Sequence, residues 1–215
     1  MVHGNIILNS DLTGNVTTTA NNQGILTTTG NSQTITGNIG TSTSLDLSTL
    51  NIGSATVPIN YSSTTISGDV FASSTVLNNN GTTNSSTLIL SNGSDITSTI
   101  TTADSNMGIL TLSGSSTITG AVGTNTDKLA QVNSGTNGSS STITDNVYAV
   151  NVTNTGTGTT TFKNDLTATN LNVNAGTTNI EDNLTATTTT ITTGTGNFNT
   201  ISGNTISDIV FSGSG

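Results

Sequence analysis

Three segments near the carboxyl end of the chain recur at a fixed interval of 18 residues. They read FKNDLTAT from Phe162, IEDNLTAT from Ile180 and FNTISG from Phe198. A short interval that repeats without a helical pattern is typical of solenoid proteins, in which each repeat forms one coil. A unit of this size cannot bury an apolar face by itself, so successive coils must stack to make a core. The spacing therefore predicts an elongated repeat protein whose function is carried by a surface.

The composition favours short strands joined by tight turns. Charged residues make up 6% of the 215 residues and aromatic residues 3%, both well below the values usual for a globular protein. Thr, Asn, Ser and Gly dominate instead. Thr, Val and Ile favour extended backbone, whereas Asn and Gly favour the positive φ angles of corners. Disordered chains are usually rich in proline and charge, but Pro58 is the single proline, so we expect an ordered all-β fold.

These patterns predict a right-handed parallel β-helix, which is a β-solenoid with coils of about 18 to 20 residues. We expect one body over residues 1–215, formed by roughly ten or eleven coils and about 50 Å long at the spacing of neighbouring strands. The Gly-, Ser- and Asn-rich segment 133–141 is a candidate loop or weak boundary. Residues 127–132 are the best candidate for a helical turn, and the glycines of 156–158 and 194–196 are expected at corners.

The equal spacing also predicts which side chains stack in the core. Residues one full coil apart lie above one another. We therefore expect Phe162, Ile180 and Phe198 in one interior column, and Leu166 and Leu184 in a neighbouring column.

The charge balance excludes some classes of partner. The chain has 2 basic and 11 acidic residues, and its net charge is −9. Binding to nucleic acid or to anionic lipid requires basic neutralisation, so neither is expected. No apolar run is long enough for a membrane-spanning helix, and residues 1–4 lack the features of a signal peptide. We expect no direct membrane insertion by this segment, and we interpret the chain as a piece of a longer protein.

The residue types needed for catalysis are scarce, and we predict that the chain is not an enzyme and has no cofactor. His3 is the only histidine and cysteine is absent, which disfavours a catalytic triad and a zinc site. Glu181 and Asp182 are a candidate carboxylate pair for a carbohydrate-active enzyme. Because adjacent strand residues point to opposite faces, a solvated edge of a coil explains this pair better.

Two further interpretations concern calcium binding by acidic residues and the ordering of water by rows of Thr. Acidic residues beside turns could bind calcium through their oxygens, but caps of Asx turns explain them better; they are Asp11, Asp69, Asp95, Asp104 and Asp145. We predict no metal site, although calcium binding stays open. The Thr runs, such as residues 187–190, resemble the arrays of ice-binding proteins, but a soluble strand face is the simpler reading. The frequent Asn residues suggest stacked amide ladders.

Several stretches resemble the passenger regions of rickettsial surface antigens, the outer-membrane protein A and B type autotransporters. The resemblance rests on residues 34–40, 158–166, 170–179 and 183–191, and it is strongest between residues 151 and 211. It implies a right-handed parallel β-helix exported across the outer membrane to the bacterial cell surface. The chain lacks the secretion signal and the terminal barrel of that family, and no ligand-binding motif can be carried across.

The expected function is therefore an adhesin-like surface segment that contributes to host-cell attachment or entry. A host-cell surface protein is the candidate partner, its binding residues are unknown, and self-association is open. A passive stalk or coat segment is the alternative. Exposed aromatic residues would favour binding over a passive role, and the candidates are Tyr61, Phe71 and Tyr148.

Overall fold

The computed structural model of the protein describes residues 4–56, 61–80, 84–91 and 93–213. The regular secondary structure of the described chain consists of strands, apart from one short 3-10 turn at Thr136–Gly138. The strands are β1 (Asn5–Leu8), β2 (Leu12–Thr13), β3 (Ile25–Thr28), β4 (Gln33–Thr36), β5 (Leu47–Ile52), β6 (Ser63–Ile66), β7 (Val70–Leu77), β8 (Asn79–Asn80), β9 (Asn84–Ser85), β10 (Thr87–Leu90), β11 (Ile96–Thr102), β12 (Met107–Leu112), β13 (Thr117–Thr119), β14 (Leu129–Ser134), β15 (Ser141–Ile143), β16 (Val147–Asn154), β17 (Thr159–Phe162), β18 (Leu166–Val173), β19 (Gly176–Ile180), β20 (Leu184–Thr192), β21 (Gly196–Thr200) and β22 (Thr205–Ser212).

Twenty of these strands form two parallel sheets of ten strands each. One sheet has the order β1-β3-β5-β7-β11-β13-β15-β17-β19-β21, and the other has the order β2-β4-β6-β10-β12-β14-β16-β18-β20-β22. Strands β8 and β9 form a separate antiparallel pair. Since neighbours within a sheet are parallel and come from successive passes of the chain, the polypeptide winds as a coil. The predicted fold class, an all-β solenoid, is confirmed.

The length of a coil changes along the molecule. Asn183 bonds to Asp165 at a separation of 18 residues, which is the interval seen in the sequence. Earlier in the chain the separation is larger, at 24 residues between Ser62 and Ser86. Turns absorb such insertions while the strands keep their register, because each coil contacts only its neighbours.

Inward-facing columns of side chains run along the solenoid, and columns A, B and C are three of them. Column A consists of Ile6, Leu26, Leu50, Thr75, Ile100, Val122, Val147, Leu166, Leu184 and Thr205. Column B consists of Leu12, Ile35, Ile66, Leu90 and Leu112, and then of Ser134, Asn154, Val173, Ile191 and Phe211. Leu112 and Ser134 each directly follow the last pair of β12 and β14, Thr111 with Asn133. Column C consists of Val16, Ile39, Val70, Ile96, Ile118, Ile143, Phe162, Ile180 and Thr200.

Buried hydroxyl groups complete this aliphatic core. Thr64 is fully buried, and its hydroxyl donates to Thr28 Oγ1 at 2.8 Å. Thr160 in the same way donates to Ser134 Oγ at 2.8 Å. A buried hydroxyl without a partner would cost free energy, and pairing between coils removes that cost. This explains how a chain with 30% hydrophobic residues makes a continuous interior.

The predicted core columns need one correction, which concerns Phe198. Leu166 lies opposite Leu184, and Phe162 lies opposite Ile180. Phe198 instead lies opposite Thr178, and Thr200 takes the place beside Ile180. The chain between β20 and β21 shifts the register by two residues, so that Phe198 packs against the core in a different column.

Two other expectations about local structure have clear outcomes. Residues 129–132 belong to strand β14, so the expected helical turn at 127–132 is wrong; parallel pairing with β12 and β16 overrides the local preference. The segment 133–141 contains the 3-10 turn, and the sheets continue through β14 and β15 on both sides of it.

Candidate functional site

A ladder of Asn and Asp side chains follows one corner of the solenoid in its amino-terminal half. The side-chain oxygen of each member accepts a hydrogen bond from a backbone N–H one coil further on. Asn15 accepts from Asn38 at 2.8 Å, and Asn38 accepts from Asp69 at 2.9 Å. Asp69 accepts from Asp95 at 3.1 Å, and Asp95 accepts from Thr117 at 2.7 Å. These side chains tie successive coils together where the chain turns away from the sheet ladder.

A second ladder follows another corner in the carboxyl-terminal half. Asn146 Oδ1 accepts from the N–H of Asp165 at 3.3 Å. Asp165 Oδ1 accepts from Asn183 Nδ2 at 2.7 Å, and Asn183 Oδ1 accepts from the N–H of Asn204 at 3.0 Å. Members of the first ladder directly precede residues of column C, whereas members of the second precede residues of column A. The ladder therefore changes corner between the two halves.

The corner ladders have a signal in the sequence that our sequence analysis missed. An aliphatic or aromatic residue is followed three positions later by Asn or Asp and then by another aliphatic residue. The pattern occurs as LTGNV at 12–16, ITGNI at 35–39, ISGDV at 66–70, FKNDL at 162–166 and IEDNL at 180–184. Two of these copies lie within the 18-residue repeat that begins at Phe162, but no role was assigned there to Asp165 or Asn183.

Glycine precedes the ladder residue in the first coils because the corners approach each other closely. A Cβ atom on Gly68 would collide with the carbonyl group of Gly37, and a Cβ on Gly37 would collide with that of Gly14. Gly37 also has a φ of 137°, which other residues rarely adopt. Glycine thus allows the stacking distance that the ladder bonds require.

The acidic residues considered as calcium ligands mostly bond to neighbouring coils. Asp11 accepts from the N–H of Thr34 at 2.8 Å, as Asp69 and Asp95 do further along. Asp104 accepts from Asn79 Nδ2 at 2.9 Å, and Asp145 accepts from the N–H of the next residue. None of these bonds is the expected Asx-turn cap, because four of the carboxylates bond to a neighbouring coil and Asp145 bonds to the adjacent residue. Among the described residues, no three His, Cys, Asp or Glu side chains are grouped as metal ligands.

Replacing Asn38 by Ala should lower the free energy of unfolding by about 1 kcal/mol, a typical value for one lost hydrogen bond. The change removes the acceptor of the Asp69 N–H, while the bond that the Asn38 N–H donates is kept. Thermal and urea unfolding followed by circular dichroism would measure the effect. Asn38→Asp is the matched control, because Asp serves as an acceptor at the next corner. Equal destabilisation by both substitutions would contradict the ladder.

A lateral groove of about 250 Å³ opens on the side of the middle coils. The ring of Phe71, the carboxylate of Asp46 and several hydroxyl groups line it, the latter including Ser73, Thr97 and Thr119. Asp46 Oδ2 accepts from Ser73 Oγ at 2.7 Å, and Asp46 Oδ1 accepts from the N–H of Asn22 at 2.7 Å. The carboxylate is therefore held in one orientation. An aromatic ring beside fixed polar groups is suited to binding a polar ligand.

The other residues singled out in the sequence lie apart from this groove. Glu181 and Asp182 are both half-buried at the corner between β19 and β20, and neither lines the groove. Tyr148 is half-buried beside Gly123. Tyr61 is 40% exposed. Of the three aromatic candidates, Phe71 is the one that lines the groove together with the carboxylate of Asp46. His3 lies outside the described residues.

A second cleft, of about 330 Å³, lies at the amino-terminal end. Ile6, Val16, Ile25 and Leu47 are among its lining residues, and these belong to the core columns or stand next to them. The cleft is therefore the open end of the core.

Comparisons with known proteins give no match: no protein-family profile, no curated protein and no solved structure is significantly similar to the chain. Within the ranges that the structure describes, no helix is long and apolar enough to cross a membrane.

Proposed function

We propose that the chain is an adhesive rod of a bacterial surface protein, of the autotransporter passenger type, that contributes to attachment to or entry into host cells. The observation that carries this proposal is the continuous solenoid, whose columns run from residue 6 to residue 211. Such a rod presents a long side surface at a regular spacing. Many weak contacts along it can add up to firm attachment.

The polar side chains of the rod support a binding or structural role. The carboxylates of Asp69, Asp95 and Asp165 accept hydrogen bonds that join coils. A glycosidase needs a general acid and a second carboxylate at a suitable distance, and Asp46 is the acid that lines the lateral groove. These features favour adhesion over carbohydrate hydrolysis.

The outward side of the rod carries columns of hydroxyl and amide groups. One such column consists of Thr117, Thr142, Thr161, Asn179 and Asn199. In it Asn199 donates to Asn179 at 2.9 Å; elsewhere Asn170 donates to Asn151, also at 2.9 Å. Bonds between coils hold these amides in place. A fixed array of this kind suits a protein or glycan surface rich in hydrogen-bonding groups.

The lateral groove is the place where we expect binding to be strongest, and a cell-binding assay tests this. Beads coated with the purified chain should bind host cells, and Thr119→Lys should reduce the binding about fivefold or more because Lys would fill the mouth of the groove. Thr187→Lys adds the same charge at an exposed site of β20 and should bind like the parent.

Two outcomes would contradict this proposal. Equal binding by both Lys variants would show that the groove is not the site. If parent beads bind no better than uncoated beads, the passive stalk or coat reading is favoured instead.

A further inference from the structure

A short loop, residues 40–46, leaves the solenoid beside the lateral groove. It lies between two residues that pair with the next coil, Ile39 and Leu47, and in that coil their partners are separated by the single residue Phe71. The additional residues must therefore project from the coil next to Phe71. A Cβ atom on Gly40 would collide with the carbonyl oxygen of Phe71, so glycine allows the loop to start close to the aromatic residue.

A second loop, residues 123–128, repeats this arrangement. It lies between Val122 and Leu129, whose partners in the next coil are separated by the single residue Tyr148. A Cβ atom on Gly123 would collide with the carbonyl oxygen of Tyr148, and the φ of 72° at this glycine matches the 73° at the start of the first loop. The loop sequences, GTSTSLD and GTNTDK, are also similar. The two loops are therefore copies of one arrangement, in which a turn stands beside an aromatic residue.

The two copies differ in the charge of their last residue. The first loop ends with Asp46 and the second with Lys128, and in each case the next residue is a buried leucine that pairs with the following coil. The same backbone position thus accepts either sign of charge. Because the loop itself does not require a carboxylate there, we expect the charge to decide which ligand the neighbouring groove binds.

The carboxylate of Asp46 is oriented but not neutralised. Its two oxygens accept from Ser73 Oγ and from the N–H of Asn22, each at 2.7 Å, and both donors are uncharged. A carboxylate has about four acceptor positions, so it can accept a further bond from a ligand. Among the described residues that line the groove there is no Lys or Arg. The groove therefore presents a fixed negative charge beside the half-buried Phe71.

We propose that the lateral groove binds a basic side chain of the partner protein, and that Asp46 determines this specificity. The proposal rests on the adhesive function proposed above, since it names the chemistry of the partner at the same groove. A guanidinium or ammonium group pairs with the Asp46 carboxylate and is attracted by the aromatic ring of Phe71. Arginine fits best, because its planar group pairs with a carboxylate and also stacks on a ring. The net charge of −9 attracts basic surfaces towards the rod.

Two other kinds of ligand fit the groove less well. Calcium takes about six to eight oxygen ligands, whereas Asp46 supplies the one carboxylate among the described lining residues. A sugar could stack on the ring of Phe71, but it would leave the charge of Asp46 without a counter-charge. An organic cation uses both the ring and the charge.

NMR titrations of the isotope-labelled chain test the proposal. The probe is Nα-acetyl-arginine amide, and the matched neutral probe is Nα-acetyl-citrulline amide, which has nearly the same shape without the charge. The parent should bind the arginine probe with shifts centred on the groove, and it should bind the citrulline probe about tenfold more weakly, the loss expected when a hydrogen bond to a charged group becomes a neutral one. Added salt should weaken binding of the arginine probe, since the groove is open to solvent.

Three variants separate the contributions of charge and ring. Asp46→Asn keeps the size of the side chain and removes its charge, so the arginine probe should bind about tenfold more weakly. Phe71→Leu removes the ring, and a loss of about threefold is expected for the missing cation–π contact. Asp182→Asn is the matched control, because it removes the same charge from a corner that does not line the groove, and it should bind like the parent. Circular dichroism and thermal melting verify folding.

Several outcomes would overturn the proposal. Equal binding of the arginine and citrulline probes by the parent, or binding of neither, would do so without any variant. Unchanged binding by a folded Asp46→Asn chain would do so as well. Shifts at the groove with methyl glucoside in place of the arginine probe would indicate a glycan site.

The titration does not depend on cells, so the two proposals can fail separately. If the arginine probe binds while beads coated with the chain do not bind host cells, the adhesive function is wrong and the cation site stands. If the beads bind cells while the titration fails, only the cation site is wrong.

Discussion

Replacing Ile180 by Asp is expected to lower the free energy of unfolding by about 4 kcal/mol or more, at the upper end of the range for single substitutions. Ile180 is fully buried in column C, between Phe162 and Thr200. A carboxylate there would lose its water without gaining a partner. Because each coil contacts only its neighbours, the damage should begin locally and divide unfolding of the rod into two steps.

Urea unfolding followed by circular dichroism would show the two steps. Thr177→Asp is the matched control, since Thr177 lies on the same strand but is only partly buried. It should change the stability by less than about 1 kcal/mol, as expected for a surface substitution. An Ile180→Asp variant that unfolds like the parent would show that the side chain does not lie in a closed core.

Replacing Gly158 by Ala is expected to cost about 3 kcal/mol, the upper range for overpacking. A Cβ atom on Gly158 would collide with the carbonyl oxygen of Ser139 in the coil below. Gly176 in turn lies over the carbonyl oxygens of Gly156 and Gly158. These glycines form a column of corners in which the backbones meet without side chains between them, so a methyl group must push two coils apart.

Gly194→Ala provides the comparison for this prediction. Gly194 has a φ of 81°, and nothing lies within 4 Å of the position of its Cβ. Only the strain of the left-handed backbone should matter there, at about 1 kcal/mol. Melting temperatures of the two variants would separate close packing from backbone strain. A smaller loss for Gly158→Ala than for Gly194→Ala would contradict the close approach of the corners.

Two core pairs were predicted correctly and one was not. The difference lies in the number of residues between the paired strands. Phe162 with Ile180 and Leu166 with Leu184 were predicted from a step of 18 residues, and the structure pairs them. The next step, from Gly176 of β19 to Gly196 of β21, is 20 residues long, so Phe198 misses the column. A repeat in the sequence gives the register only while the turns keep their length.

The corner ladders show a different limit to what can be predicted from the sequence. The abundance of Asn and Asp at turns is visible in the sequence, and capping within the turn was the local explanation. In the structure Asn38 and Asp69 bond across a separation of 31 residues. No local preference specifies such a partner, because it depends on how much chain the intervening coil contains.

The sequence by itself determined that this chain is a stack of short parallel strands. Alternation, β-branched residues and a one-coil repeat are local properties, and they leave stacking as the way to bury the apolar face. The tertiary structure decided which residues meet, since variable turns set the register between coils. It also decided how deeply each apolar side chain is buried, because Val173 and Leu26 lie between two described coils, whereas Phe211 and Ile6 of the same columns have a described coil on one side.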